Sequence, residues 1–313
     1  MEWETINGSS LYAEIRAVHT PDRMVSKFTF EGLDRQSLFE GHWWKKHNGH
    51  DASIYLSTHS GCPVGCRMCG TNGIHLRPAT ANELIAQFEE MIDDMGDLSE
   101  YSLKFVKWMY MGEPLLNVVE VDKAMRYIVK HYPDWMMLVS SIGPLHCDYD
   151  LVKGWQRDFG ERLLLSFSIH KMDYIERNNL IPLNDKLTML EIVKLGKELF
   201  DINPTNKLSF SYNIFNKEQS QETAELMLET FDPDVWIPCI QFLYSKNGTE
   251  NPDGEKAANL LVDQFCDVLR NMGYDEVLPF YGPMTSGDNH LVTGCGQFVE
   301  FQKYVRGKKR EHN

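Results

Sequence analysis

"SGCPVGCRMCGTNG", residues 60–73, carries three cysteines, Cys62, Cys66 and Cys69, in the spacing C-x₃-C-x₂-C. The stretch is rich in glycine and follows "SIYLS", residues 53–57, which reads as a strand. Three thiolates this close can face one centre. Tetrahedral zinc asks for a fourth ligand, which Cys147, Cys239, Cys295 or a histidine would have to supply. A four-iron cluster is also held by cysteine thiolates, and an iron without a protein ligand keeps a coordination position open. The spacing by itself leaves both metals in play.

The rest of the composition narrows the setting. The chain has 313 residues, enough for one large domain or two small ones, with 42% hydrophobic and 24% charged residues. No apolar run approaches the roughly 18 residues of a membrane span. The opening "MEWETINGSS" has neither a basic start nor an apolar stretch, so a cytoplasmic protein without a secretory signal is expected. The net charge of -14 argues against a broad grip on naked nucleic acid, which wants a basic face. The one dense basic run, Arg306 to Arg310, is expected to be a solvated tail over 301–313. Seven cysteines, an odd number in a chain of this size, point to metal binding or chemistry rather than a disulfide framework.

Outward from the cysteines, apolar pieces alternate with amphipathic ones. Residues 1–50 form a small extension with β-like pieces, "LYAEIRAV" and "SKFTFEGL", followed by a wet loop, "GHWWKKHNGHD". "TANELIAQFEEMIDDM" predicts a helix with Thr80 as N-cap and Glu83 closing a capping box. Strand and helix patterns then alternate through "LKFVKWMYM", "WMMLVSS", "RLLLSFSIH", "KLSFSYNIF" and "VWIPCIQFLY", with a last short strand in "DEVLPFY". This predicts an α/β fold with a parallel sheet. About six β/α units do not close an eight-unit barrel, so a partial (β/α)6 barrel over 51–300 is expected. Its chemistry should lie at the C-terminal ends of the strands.

A second motif stands at such an end. "MGEPLLN", Met111 to Asn117, follows the second barrel strand. A Gly-Glu-Pro turn there presents one carboxylate to the barrel mouth, and Glu113 can accept from a ligand ammonium. Read blandly, the same residues are a surface turn with a solvated glutamate.

Together, the cysteine spacing and "MGEPLLN" resemble the radical S-adenosylmethionine (SAM) superfamily. With "SFSIH" (Ser166–His170), "RNNLIPLN" (Arg177–Asn184) and "GCGQF" (Gly294–Phe298), they resemble its RlmN/Cfr-type family of RNA adenine methyltransferases over roughly residues 50 to 300. The resemblance implies a [4Fe–4S] cluster on Cys62, Cys66 and Cys69, whose open iron binds SAM and whose electron splits it into methionine and a 5′-deoxyadenosyl radical. It implies SAM contacts from Gly112, Glu113, Pro114, Asn117, Ser140, Ser141, Ser168 and His170. It gives Cys295 the role of carrying a methyl group to an sp² carbon of adenine. It also implies a reductase or electron donor, flavodoxin or ferredoxin-like. Read without it, Cys295 is a buried structural cysteine and His170 a capping residue at a strand end.

The pattern also departs from the family. Its second cysteine, seven residues before the first cluster cysteine, resolves the enzyme–RNA adduct; here Tyr55 stands there and cannot form that disulfide. Tyr55 is a candidate acid, base or radical relay. The helical RNA-binding extension is expected to be missing, the "PFNP"-like strand reads "PCIQFLY", and Asn72 follows Thr71. A methyltransferase working through Cys295 is therefore the first expectation. The second is an enzyme that uses the deoxyadenosyl radical directly on a nucleotide, small molecule or peptide. The third is a zinc-binding RNA adaptor without catalysis. In the first, Cys147 or Cys239 is a candidate substitute for the lost cysteine.

Overall fold

The computed structural model describes residues 2–6, 9–46, 50–214, 221–242, 252–281, 291 and 297–311. The chain opens with β1 (Glu4–Ile6), β2 (Tyr12–His19), β3 (Val25–Gly32) and β4 (Leu38–Lys45), an antiparallel meander. β4 pairs antiparallel with β5 (Asp51–Tyr55), where the direction of the sheet changes. A two-stranded ribbon, β6 (His59–Gly61) and β7 (His75–Pro78), brackets the cysteine loop and leads into α1 (Ala81–Met95).

The alternation follows: β8 (Leu103–Trp108), α2 (Val118–His131), β9 (Trp135–Ser141), α3 (Tyr149–Asp158), β10 (Leu163–Ser168), α4 (Tyr174–Leu180), α5 (Met189–Ile202), β11 (Leu208–Ile214), α6 (Gln221–Thr230), β12 (Trp236–Phe242), α7 (Pro252–Met272) and β13 (Leu278–Phe280). The order β1-β2-β3-β4-β5-β8-β9-β10-β11-β12-β13 is one continuous sheet, parallel from β5 onward. The six helical crossovers between parallel strands make the expected partial (β/α)6 barrel. α8 (Val299–Glu311) ends the described chain.

Parallel strands with period-two patterning separate an apolar outer face from an inner one. Ile54, Val106, Met137, Val139, Leu165, Phe167, Phe210 and Ile240 face the helices and are buried. Gly196 lets α5 lie on this layer: a Cβ there would stand 1.9 Å from the Trp236 ring. Thr80 caps α1 with the full capping box to Glu83, as the sequence predicts.

Two expectations are corrected. The first part of the "wet loop" expected at 41–51 belongs to β4, which runs to Lys45, with Trp43 fully buried and Trp44 nearly so. Both of its faces are covered, so its mixed letters lack the one-sided alternation of a half-exposed strand. The tail over 301–313 is helical, α8, as far as Glu311: Arg306 and Lys309 of its basic run are exposed as expected, but the helix also carries a buried apolar stripe. Phe298, Phe301 and Val305, at helical spacing, are buried against the meander side, and the Phe301 amide donates to Glu40 Oε1 at 2.7 Å. Charged letters outnumbered the stripe and hid it.

Candidate active site

The three cysteines sit in a loop pinned at both ends. The Cys62 amide donates to the Ile74 carbonyl at 2.7 Å, and the Ile74 amide returns to Thr71 at 3.0 Å. Gly61 has φ +82° and passes so near Ile74 that a Cβ would meet its carbonyl oxygen at 2.0 Å. Cys62 is buried; Cys66 and Cys69 are partly so. Burial pushes the Cys62 thiol well up and the Cys66 thiol to about 12, and in both the neighbouring thiols add to the shift. The three sulfurs therefore sense one another. No three His, Cys, Asp or Glu side chains among the described residues are gathered tightly enough for a single metal ion. A cluster takes its cysteine thiolates one per iron, so three neighbouring cysteines are the donor type that group would use. Metal binding would hold these high-pKa thiols as thiolates.

The Gly-Glu-Pro turn rises beside them. Gly112, at φ +107°, packs on the start of the cysteine ribbon: a Cβ would lie 2.6 Å from both His59 Nδ1 and Thr58 Oγ1. Pro114 opens a short 3₁₀ turn, Pro114–Asn117, and Glu113 caps it. The Glu113 carboxylate accepts from the Leu115 amide (3.0 Å), the Ser141 hydroxyl (2.6 Å) and the Ile142 amide (2.9 Å). All three donors are neutral. Burial outweighs them and lifts its pKa to about 7. Asn117 spends its amide on the Thr58 and Ala79 carbonyls, at 3.0 and 2.8 Å, so it ties the cysteine ribbon to the start of α1.

Ser140 and Ser168, on neighbouring strands, face each other at 3.4 Å; Ser141 serves Glu113. His170 lies just past β10 in a left-handed conformation, φ +60°, with its amide donating to the Ser211 carbonyl. Its ring is buried, Nδ1 has no partner among the described residues, and burial with the nearby Arg177 lowers its pKa to about 3. Arg177 is buried too. It donates to the Ile142 and Leu187 carbonyls, its Nε is unpartnered, and it lies in electrostatic range of Cys66.

Tyr55 ends β5 in an aromatic cluster. Its hydroxyl accepts from Trp44 Nε1 (3.2 Å) and Lys107 Nζ (3.0 Å), and His42 stacks on its ring at 4.0 Å. Two donors aimed at one phenol oxygen leave its own proton free to be given away. Cys239 is on the inner face of β12, and burial raises its thiol to about 11. Cys147 is partly buried and within electrostatic range of Glu113. Cys295 and its flanking glycines lie outside the described residues. Sequence reading missed Lys107, Arg177 and His42 as site residues. The alternation in "FVKWMY" marks Lys107 as inward-facing once the register is known.

No family model matches the chain. It is 26% identical over 251 residues to the "Probable dual-specificity RNA methyltransferase RlmN" of Petrotoga mobilis, covering 77% of this chain and 66% of that protein. It is 26% identical over 267 residues to the dual-specificity RNA methyltransferase RlmN of a Marinomonas species, covering 80% and 67%. The chain thus spans about two thirds of the length of these curated relatives. Its fold is that of a radical SAM methyltransferase from Sphaerobacter thermophilus, with a TM-score of 0.72, 19% identity, and 94% of this chain and 80% of that one covered. The chain is thus similar in sequence to RlmN RNA methyltransferases and shares its fold with a radical SAM methyltransferase.

Proposed function

We propose that the chain is a [4Fe–4S]-dependent radical SAM methyltransferase whose substrate is an sp² carbon of an adenine nucleotide, reached through Cys295. Cys62, Cys66 and Cys69 would hold the cluster, which when bound supplies the electron that cleaves SAM. Glu113 carries this reading: its carboxylate is buried beside the cysteine loop with three neutral donors and, among the described residues, no cation, so an arriving ammonium completes it. The hydroxyls of Ser140 and Ser168 and the unpartnered Nδ1 of His170 offer further polar contacts at the same strand ends. A one-electron donor of flavodoxin or ferredoxin type is required, and RNA is the substrate class that the relatives' names indicate. Among the described residues no helix is long and apolar enough to cross a membrane.

A second reading keeps the SAM site and drops the methyl carrier. It is favoured by Tyr55, whose hydroxyl is engaged by Trp44 and Lys107 where the family places a cysteine. The experiment is anoxic reconstitution with iron and sulfide, then SAM and a strong reductant. 5′-Deoxyadenosine together with a methyl group on Cys295 by mass spectrometry supports the first reading. 5′-Deoxyadenosine with Cys295 unmodified supports the second. Stoichiometric zinc in anaerobically prepared protein, without iron, would sink both.

A further inference from the structure

Lys107 lies on the inner face of the barrel. The register Tyr55↔Lys107 between β5 and β8 points both side chains inward, opposite to Ile54 and Val106 in the outer core. The residue is only 7% exposed. Its ammonium donates to the Tyr55 hydroxyl at 3.0 Å and lies over the rings of Tyr55 (4.8 Å), Trp44 (5.1 Å), Phe105 (5.7 Å) and Phe280 (5.9 Å). Phe280 belongs to β13, the last parallel strand, so the side chain reaches across the barrel interior. It lies close enough to Cys239 on β12 to act electrostatically on the thiol. Among the described residues no carboxylate pairs with it. Lys27, buried on β3, differs: Glu40 stands 2.8 Å from its ammonium.

A buried ammonium without a counter-charge is unfavourable, and aromatic faces with one phenol offset only part of that. The inward carboxylates on this side already have cations of their own, Asp51 with Lys46 and Glu40 with Lys27, and the inward serines nearest the chamber are neutral. Ser140 faces Ser168, and Ser166 faces Ser211 at 3.1 Å. Hydroxyls can donate to the remaining lone pairs of an oxyanion, whereas none of them neutralises a cation. Among the described residues no group supplies the missing charge, and a ligand can bring it.

We propose that Lys107 is the anion anchor of the substrate chamber: its ammonium binds a single oxyanion, phosphate or carboxylate, carried by the substrate. One inward cation suits one anionic group, such as a single phosphate of the nucleotide that enters the chamber. The choice of nucleotide probes rests on the proposed function; the anchor itself does not.

The test is isothermal titration of the full chain, and of K107M and K107R, with 5′-AMP, adenosine, inorganic phosphate and acetate, and with SAM as a separate arm. AMP should bind the unaltered chain, bind K107M roughly ten- to a hundredfold more weakly, and recover in part with K107R. Adenosine should not distinguish the three. In the unaltered chain, which needs no variant to fold, phosphate competition with AMP marks a phosphate group; acetate binding without phosphate competition marks a carboxylate. The proposal is overturned if no probe but SAM binds, if AMP and adenosine bind alike and neither small anion competes, or if K107M weakens SAM alone. That last result would make Lys107 a partner of the SAM carboxylate. A chain that binds AMP through Lys107 but never SAM would retain the anchor and lose the radical reading.

Discussion

The antiparallel meander and the mouth of the parallel barrel bury charge in opposite ways. On the meander side, charges are paired. Lys27 has Glu40, which also receives the Phe301 amide of α8. Arg77 has Asp34 at 2.8 Å and Glu83 at 2.6 Å; against the opposing effect of burial, the Gln36 amide and then Arg77 hold Asp34 below its ordinary range, and Arg77 with Thr80 does the same for Glu83. At the barrel mouth, Glu113, Lys107 and Arg177 are each buried with only neutral partners among the described residues. Paired charge holds elements together. Unpaired buried charge is a liability for folding, and its retention where three thiols also gather marks the region as built to receive ligands.

The widest gap between the regions should appear in chemistry. Changing Cys62, Cys66 or Cys69 to Ala should take 5′-deoxyadenosine formation down to the uncatalysed background while far-UV circular dichroism stays unchanged. Appreciable turnover by any of these variants would remove the cysteine loop from the reaction.

The next largest contrast is in stability. Glu40→Gln leaves Lys27 buried without its counter-charge and should cost about 3–5 kcal/mol by urea denaturation. Lys107→Met, in the same assay on ligand-free protein, should cost nothing or stabilise, because it removes a cation that has no counter-charge among the described residues. Equal losses from the two would erase the distinction.

Glu113 gives the contrast a pH dependence. Its folded pKa, about 7, lies above the ordinary 4.5 because burial disfavours the charged form. The folded state then holds its proton longer than the unfolded state does. The stability from this group is present below pH 4.5 and is lost as pH rises to 7, by at most about 3 kcal/mol. Glu113→Gln should flatten that limb in denaturation curves recorded between pH 5 and 8. In the unaltered chain, SAM binding near pH 7 should release a proton, read as a dependence of binding enthalpy on buffer ionisation. Absence of release would mean that no cation docks on Glu113.

The smallest effect belongs to an ordinary cap. Thr80→Ala should cost about 1 kcal/mol of global stability and leave SAM binding unchanged, since Thr80 serves only the first turn of α1.

Much of the fold was legible from period alone. The strands from β8 to β12 and the helices α2, α3, α5 and α6 fall within a few residues of their sequence patterns, because each buries an apolar face; the short α4, inside the "RNNLIPLN" motif, was not read as a helix. β4 was not legible, since both of its faces are covered and the tryptophans stand among histidine and lysine. α8 was not either, since Phe298, Phe301 and Val305 are sparse among charged letters. At the site, local motifs exposed Cys62, Cys66, Cys69 and Glu113. Asn117 reads as a ligand residue in the motif, yet its amide is spent on two carbonyls.

What the sequence determined by itself was local: thiol spacing, the glycine turn, the capping box and the alternation that makes parallel strands. These depend on a few bonded neighbours and on periodicity. What only the tertiary structure decided was which charges meet. Glu40 is 13 positions from Lys27, and Lys107 is 132 positions from Cys239, by their sequence numbers. Whether a buried charge is paired or waiting is set by the strand register and the crossovers that bring distant side chains into one low-dielectric space, and no local pattern encodes that.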